Sequence, residues 1–142
     1  MPVPLCTCGV HLTRGALSCT FWPPTCSVNG VPSCANEWLL KDVARGEWGF
    51  DGYVTSDCDA DGLVSAVHHY HNDSAEEAVR DIFRAGTDND CGGFIGQHAM
   101  SALNQSYITM GDVDERLAML WRVRMRPVEI PPLRNRASAR EH

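Results

Sequence analysis

The segment EWGFDGYVTSDCDA, residues 47–60, constrains the fold more than any other part of the chain. The run from Tyr53 to Thr55 favours a strand, and the glycines before it are typical of a turn. Because the apolar run stops at Ser56, Asp57 is predicted to follow the carboxyl end of that strand. Parallel α/β folds place functional side chains at such strand ends. Asp57 is therefore the first candidate for a functional residue.

Helical patterns lie on both sides of this strand. Ser74 followed by Glu77 is a capping-box pattern, and Gly86 is typical of the residue that ends a helix. Helices that alternate with strands indicate a parallel α/β fold. Helices are predicted over about 36–46, 74–86, 94–103 and 113–125, with a short strand within 16–22, a loop at 59–72 and a short connection or strand at 85–92.

The length of the chain limits how much of such a fold it contains. A complete eight-stranded barrel needs roughly 250 residues, and this chain has 142. The α/β pattern therefore predicts an open fragment of a (β/α)8 TIM barrel with two or three of its units. An open sheet leaves an unpaired edge, so self-association through that edge is expected.

Composition argues against several classes of function. The net charge of −6 does not fit a nucleic-acid surface, although six of the 11 arginines lie between Arg122 and Arg140. No apolar run approaches the roughly 18 residues of a membrane span, and no secretory signal is visible. The cysteines and histidines within 6–11 and 68–71 match no zinc-ligand spacing, so no metal is predicted.

Four segments, in this order, resemble glycoside hydrolase family 3 and, within it, the β-xylosidase-like branch. The resemblance implies a partial N-terminal barrel domain over residues 26–126, between a poorly defined segment at 1–25 and a disordered tail at 127–142. The four segments are CSVNGVPSCANEWLL (26–40), RGEWGFDGYVTSDCDA (45–60), AGTDNDCGG (85–93) and DVDERLAMLWRVRMR (112–126).

The resemblance implies that Asp57 is the catalytic nucleophile of a retaining β-glycosidase. Such an enzyme attacks the anomeric carbon with one carboxylate and uses a second carboxyl group as acid and then base, without a cofactor. Cys58, Asn29 and Gly30 are expected near the bound sugar. The implied substrate is a β-linked xylan or plant-wall oligosaccharide, and the family is typically extracellular.

Two features depart from the family pattern. Cys26-Ser27 runs directly into Val28, so a tyrosine-containing stretch expected near the sugar is missing, and Pro127 stands where the family has a Leu-Gly-x-Phe linker. The family takes its acid/base residue from a C-terminal domain that this sequence lacks. The competing interpretation is a truncated, non-catalytic fragment or interaction module, and a metal-binding secreted module is a third.

Seven cysteines allow disulfides to form in an oxidising compartment. Cys26 and Cys34 bracket a turn, whereas Cys58 and Cys91 follow neighbouring strand-like segments. We predict the disulfides Cys26–Cys34 and Cys58–Cys91. The alternative is that these are free, buried thiols.

Overall fold

The structure, a computed structural model, describes residues 10–13, 16–19, 27–70 and 74–125. Within these ranges no helix combines the length and apolar character needed to cross a membrane. The strands are β1 (Val10–Thr13), β2 (Ala16–Cys19), β3 (Ser27–Val28), β4 (Val31–Pro32) and β5 (Tyr53–Ser56). The helices are a 3-10 turn (Ser33–Ala35), a π-helix (Trp38–Glu47), α1 (Ala60–Ala66), α2 (Ala75–Ala85), α3 (Phe94–Asn104) and α4 (Met110–Arg124).

The main sheet has the strand order β1-β2-β5 and does not close on itself. β1 is antiparallel to β2, whereas β2 is parallel to β5, with Cys19 opposite Ser56. A parallel bridge between Thr55 and Asn89 brings residues 87–90 alongside β5. These four residues are called the 87–90 segment below. The described chain is therefore an open α/β unit with parallel pairing at β5, as the alternating pattern predicts.

The predicted helices are present, and their caps explain where they begin. Asn36 Oδ1 accepts a hydrogen bond from Leu39 N at 3.0 Å, before the π-helix. Ser74 Oγ accepts from Glu77 N at 3.3 Å, so Ser74 caps α2 as expected. The full reciprocal capping box occurs instead at α4, where Thr109 is the cap. The predicted tail at 127–142 and residues 1–9 lie outside the described part of the chain.

The expected loop at 59–72 is wrong at its start, because residues 60–66 form α1. Its sequence has weak helix propensity, since it contains Gly62 and begins at Asp59, whose φ is +63°. Tertiary packing decides the conformation instead. Val64 is 1% exposed and belongs to a cluster with Ala78 and Ile82 of α2, so α1 is stabilised by contacts that local propensity does not show.

A buried ion cluster joins the sheet to two helices. Asp88, whose side chain is fully buried, contacts Arg45 of the π-helix at 2.7 Å and Arg116 of α4 at 3.1 Å. Asp88 Oδ2 also accepts a hydrogen bond from Val54 N at 2.8 Å. Burial raises the pKa of Asp88 and lowers that of Arg45, while the attraction between the two groups acts in the opposite sense. Removal of one member of this cluster would leave the remaining charges without their partner, which destabilises the fold.

Gly86 ends α2 with a φ of +96°, which glycine adopts without strain. A Cβ there would lie 3.1 Å from Arg116 Nη1. Gly86→Ala is therefore expected to lower the free energy of unfolding by about 1–2 kcal/mol, measured by urea denaturation. The control is Gly96→Ala in α3, where a Cβ meets nothing within 4 Å. Equal losses in both variants would contradict this expectation.

Candidate functional site

Asp57 lies directly after β5, at the carboxyl end of the strand. Its backbone N–H donates to Cys19 O at 3.0 Å, which extends the ladder between β2 and β5 by one bond. Its carbonyl accepts from Ala60 N at 3.0 Å, at the start of α1. Asp57 Oδ1 accepts from Cys58 N at 2.8 Å, and the residue is half-buried. The backbone therefore fixes Asp57 while its carboxylate remains partly open to solvent.

The 87–90 segment holds β5 from its other side. Ser56 N donates to Asn89 O at 2.9 Å, and Asn89 N donates to Val54 O at 3.0 Å. Asn89 Nδ2 also donates to Thr55 Oγ1 at 3.0 Å. Because β5 has hydrogen-bonded neighbours on both edges, the position of Asp57 is determined by the sheet rather than by a flexible loop.

A disulfide joins Cys58, the residue after Asp57, to Cys91, as predicted from their positions after neighbouring strand-like segments. Their Cα atoms are 4.3 Å apart. Beside the disulfide, Asp59 N donates to Cys91 O at 2.8 Å. Cys58 is exposed, so it presents its backbone and a disulfide sulfur, not a thiol, next to the carboxylate.

The predicted pairing of Cys26 with Cys34 is wrong, because Cys34 is bonded to Cys19. The Cα atoms of Cys19 and Cys34 are 5.4 Å apart, and Cys26 lies outside the described residues. Sequence proximity suggested a local pair across a turn. The sheet instead places the end of β2 against the 3-10 turn that contains Cys34, and both residues are buried in one apolar cluster.

Asn29 and Gly30 form the turn between β3 and β4. Their φ angles are +54° and +81°, as in the Asn-Gly turns that favour two-residue hairpins. Both residues are exposed. The hairpin is tied to the core through Asn36, whose Nδ2 donates to Val28 O at 3.1 Å. Their expected place beside the sugar stays a prediction.

One buried carboxyl group near the Asp57 loop is not predicted from the sequence. Asp61, which falls in the expected loop at 59–72, is fully buried in α1. Burial raises the pKa of Asp61 well above its ordinary range, and the charge of Asp90 adds to the effect. The signal in the sequence is the helical spacing of Asp61 with the buried Val64 and Ser65, which places the carboxyl on the inner face.

An open cleft of about 360 Å³ lies beside Asn89 and Asp90 rather than at Asp57. Its apolar wall comes from α3 and α4, through Ile95, Ala99 and Leu117. Among the described residues, no group of three or more His, Cys, Asp or Glu side chains could hold a metal ion. The cleft therefore has an apolar wall on the side of α3 and α4 and polar residues on the side of the 87–90 segment.

The chain matches the sequence pattern of the "Glycosyl hydrolase family 3 N terminal domain" over residues 24–123. Probable beta-D-xylosidase 7 of Arabidopsis thaliana is 46% identical over 99 residues, which cover 70% of this chain and 13% of that protein. Exo-1,4-beta-xylosidase bxlB of Emericella nidulans is 34% identical over 140 residues, covering 93% of this chain and 18% of that protein. The chain thus spans less than a fifth of the length of these relatives.

Solved structures give the same family. A GH3 exo-beta-xylosidase (XlnD), in complex with a xylobiose aziridine activity based probe, is 36% identical with a TM-score of 0.60, over 68% of this chain and 13% of that one. A beta-glucosidase from Listeria innocua is 26% identical with a TM-score of 0.61, over 69% and 13%. The chain belongs to glycosyl hydrolase family 3, and its matched region is part of the N-terminal domain of that family.

Proposed function

We propose that this chain carries the nucleophile of a retaining β-glycosidase and that the nucleophile is Asp57. The observation that supports this most is the position of Asp57, a half-buried carboxylate directly after a strand paired in parallel with β2 and bridged in parallel to Asn89. Strand ends of this kind hold side chains rigidly, which a nucleophile needs in order to attack in line. Membership of the family supplies the reaction class.

In the proposed reaction, a carboxylate oxygen of Asp57 attacks the anomeric carbon and displaces the leaving-group oxygen, which receives a proton from an acid. Water then cleaves the glycosyl-Asp57 ester, and the residue that first acted as the acid now acts as the base that activates this water. The Cys58 N–H, 2.8 Å from Asp57 Oδ1, orients the carboxylate. The second carboxyl group must lie about 5–5.5 Å away. Asp61 is excluded because it is fully buried.

The proposed substrate is a β-linked xyloside. The relatives named above are xylosidases, and the XlnD structure contains a xylobiose-derived probe. Cys58, Asn29 and Gly30 are proposed to lie near the sugar, with their backbone groups as hydrogen-bonding partners. The reaction requires no cofactor, because the charge that develops on the sugar is stabilised by the two carboxyl groups.

The fold proposed for the complete protein is a (β/α)8 barrel, of which β2, β5 and the 87–90 segment are consecutive parallel positions. The structural matches, with TM-scores of about 0.6, support this placement. On this proposal the cleft beside Asn89 is the place where the next barrel unit packs. Its apolar wall and the unpaired edge of the 87–90 segment would then be covered.

The second candidate is a non-catalytic chain that associates with itself. Leu117, which lines the cleft, and Trp121, one helical turn further along α4, are 44% and 48% exposed. Exposed apolar surface of this kind favours association. Sedimentation velocity across a range of chain concentrations is expected to show a dimer or larger species, which Trp121→Glu weakens. A monomer at every concentration would remove this candidate.

The test of the proposed nucleophile is covalent labelling of the chain by a β-xylosidase aziridine probe, followed by intact mass and peptide mapping. The expected result is one label on the peptide that contains Asp57. A probe of β-glucose configuration, used in parallel, separates the sugar specificity from the nucleophile assignment. Labelling confined to a different carboxylate would overturn the assignment.

A further inference from the structure

Asp61 is a fully buried acid. Its relative exposure is 0%, and neither carboxyl oxygen makes a hydrogen bond of acceptable geometry within the described part of the chain. An ionised carboxylate in that position would lack both solvent and a cation, at a cost of several kcal/mol. A neutral carboxylic acid avoids most of that cost and has one proton to donate.

The polar groups that influence the Asp61 carboxyl belong to Ser56 and Asp90. Asp90 accepts two hydrogen bonds. Its Oδ2 accepts from Ile95 N at 2.9 Å, and its Oδ1 accepts from Ser56 Oγ at 3.5 Å. The Asp61 oxygens have no such donor among the described residues, and Asp61 is the more deeply buried of the two. A proton on Asp61 therefore avoids the cost of burying an unpaired charge.

The groups around Asp61 link it to the Asp57 loop. Ser56 precedes Asp57, and Ser56 Oγ accepts from Cys91 N at 2.9 Å. The loop has little spare room, because a Cβ on Gly92 would lie 2.9 Å from Asp59 Oδ1 and 3.1 Å from Asp90 Oδ1. A change in the Asp61–Asp90 contact therefore reaches Ser56 and Cys91, which together hold the nucleophile loop.

The elements packed against α1 bring other ionisable groups into the neighbourhood. On α2, Arg80 pairs with Asp81 at 2.9 Å and is 3.9 Å from Glu77. On α3, His98 contacts the ring of Phe94, which also lies against Gly62 of α1. The 3-10 turn contributes Cys34, which is held in a disulfide. The charge that acts on Asp61 comes from Asp90, and it disfavours ionisation.

We propose that Asp61 is a positioning residue whose carboxylic acid stays protonated beside Asp90 and keeps the Asp57 loop closed. When the pH rises, the O–H proton passes to solvent base, the buried carboxylate of Asp61 then faces the half-buried carboxylate of Asp90, and the loop that carries Asp57 and Cys58 opens. An effect of this opening on glycoside hydrolysis rests on the proposed function, whereas the proton-linked opening itself does not.

The direction of the pH effect follows from linkage. The pKa of Asp61 is higher in the folded protein than in the unfolded chain, where an aspartate has a pKa of about 3.9. The stabilisation is therefore complete below the unfolded pKa and is lost as pH rises through the folded pKa. Between the two values the opening equilibrium increases about tenfold per pH unit, and above the folded pKa it levels off.

The test compares wild type, Asp61→Asn and the control Asp59→Asn. Asparagine copies the neutral acid at 61, and it tolerates the left-handed backbone of the exposed Asp59. One readout is the urea midpoint between pH 5 and 9. The other is the rate at which a phosphine reduces Cys58–Cys91, with Cys19–Cys34 as the internal reference. Neither readout requires turnover, so failure of this inference and failure of the proposed function are distinguishable.

Wild type and Asp59→Asn are expected to lose stability with rising pH and to reduce Cys58–Cys91 at least about tenfold faster at pH 9 than at pH 5, relative to Cys19–Cys34. Asp61→Asn is expected to show neither change. Carboxyl ¹³C NMR gives a second test, because an aspartate that titrates well above about 3.9 in the wild type must be missing from the spectrum of Asp61→Asn, whereas the signal of Asp88 remains. A flat relative reduction rate, or aspartates that all titrate near 3.9, would overturn the proposal.

Discussion

Replacing Asp57 with asparagine is expected to abolish labelling by the aziridine probe and to lower any β-xyloside turnover that the chain shows by about 10⁴- to 10⁶-fold, the range seen when a catalytic nucleophile or its partner is removed. The amide is nearly the same size as the carboxylate, but it cannot form the glycosyl ester. Because Asp57 is held through backbone bonds to Cys19 and Ala60, the fold is expected to survive. Intact mass and a chromogenic aryl β-xyloside measure the two effects.

Asp59→Asn is the matched control for this prediction. Asp59 lies in the same loop, is exposed and bears the same charge, so it reports any general effect of charge on the probe reaction. Labelling and turnover of Asp59→Asn are expected to stay within about threefold of wild type. If the two variants lose labelling equally, the assignment of Asp57 as nucleophile is wrong.

Replacing Asp88 with alanine is expected to destabilise the fold by about 3–5 kcal/mol, because it leaves the buried Arg116 and the half-buried Arg45 without their shared counter-ion. The carboxylate also accepts from Val54 N at 2.8 Å, so a backbone donor in β5 loses its partner as well. Removing a buried partner costs more than the net contribution of the intact group. Total domain stability is about 5–15 kcal/mol, so this single change is a large fraction of it.

The measurement for Asp88 is chemical denaturation followed by tryptophan fluorescence. Asp114→Asn, on the exposed side of α4, is the control and is expected to change stability by less than about 0.5 kcal/mol. The triple change of Asp88, Arg45 and Arg116 to apolar residues is expected to be less harmful than Asp88→Ala alone. A loss under 1 kcal/mol for Asp88→Ala would show that solvent already reaches the cluster.

Local signals in the sequence were enough to predict β5, the cap at Ser74 and the position of Asp57 at a strand end. Each depends on residues within a few positions of one another: the apolar run ends at Ser56, and the cap bonds to Glu77. The pairing of Cys58 with Cys91 also follows, because both residues come just after neighbouring strand-like segments.

The features that sequence analysis missed depend on packing between distant elements. α1 forms because Val64 meets α2, and the burial of Asp61 follows from that helix. The predicted partner of Cys34 was wrong because the order of the strands in the sheet, and not the spacing along the chain, decides which cysteine is adjacent. In the Asp88 cluster, Arg116 and Arg45 lie 28 and 43 positions from Asp88 in the sequence, so no short sequence pattern predicts the cluster.

The two disulfides found among the described residues also determine how the molecule responds to proteases. Each bond closes a covalent ring, one from Cys19 to Cys34 and one from Cys58 to Cys91. A single cut of the backbone inside either ring leaves the two pieces attached to each other, since the sulfur bridge still spans the break. The second ring contains the 87–90 segment, and the loop after Asp57 lies almost wholly within it. A nicked chain would therefore keep the proposed nucleophile tethered beside Cys91 until a reductant released it.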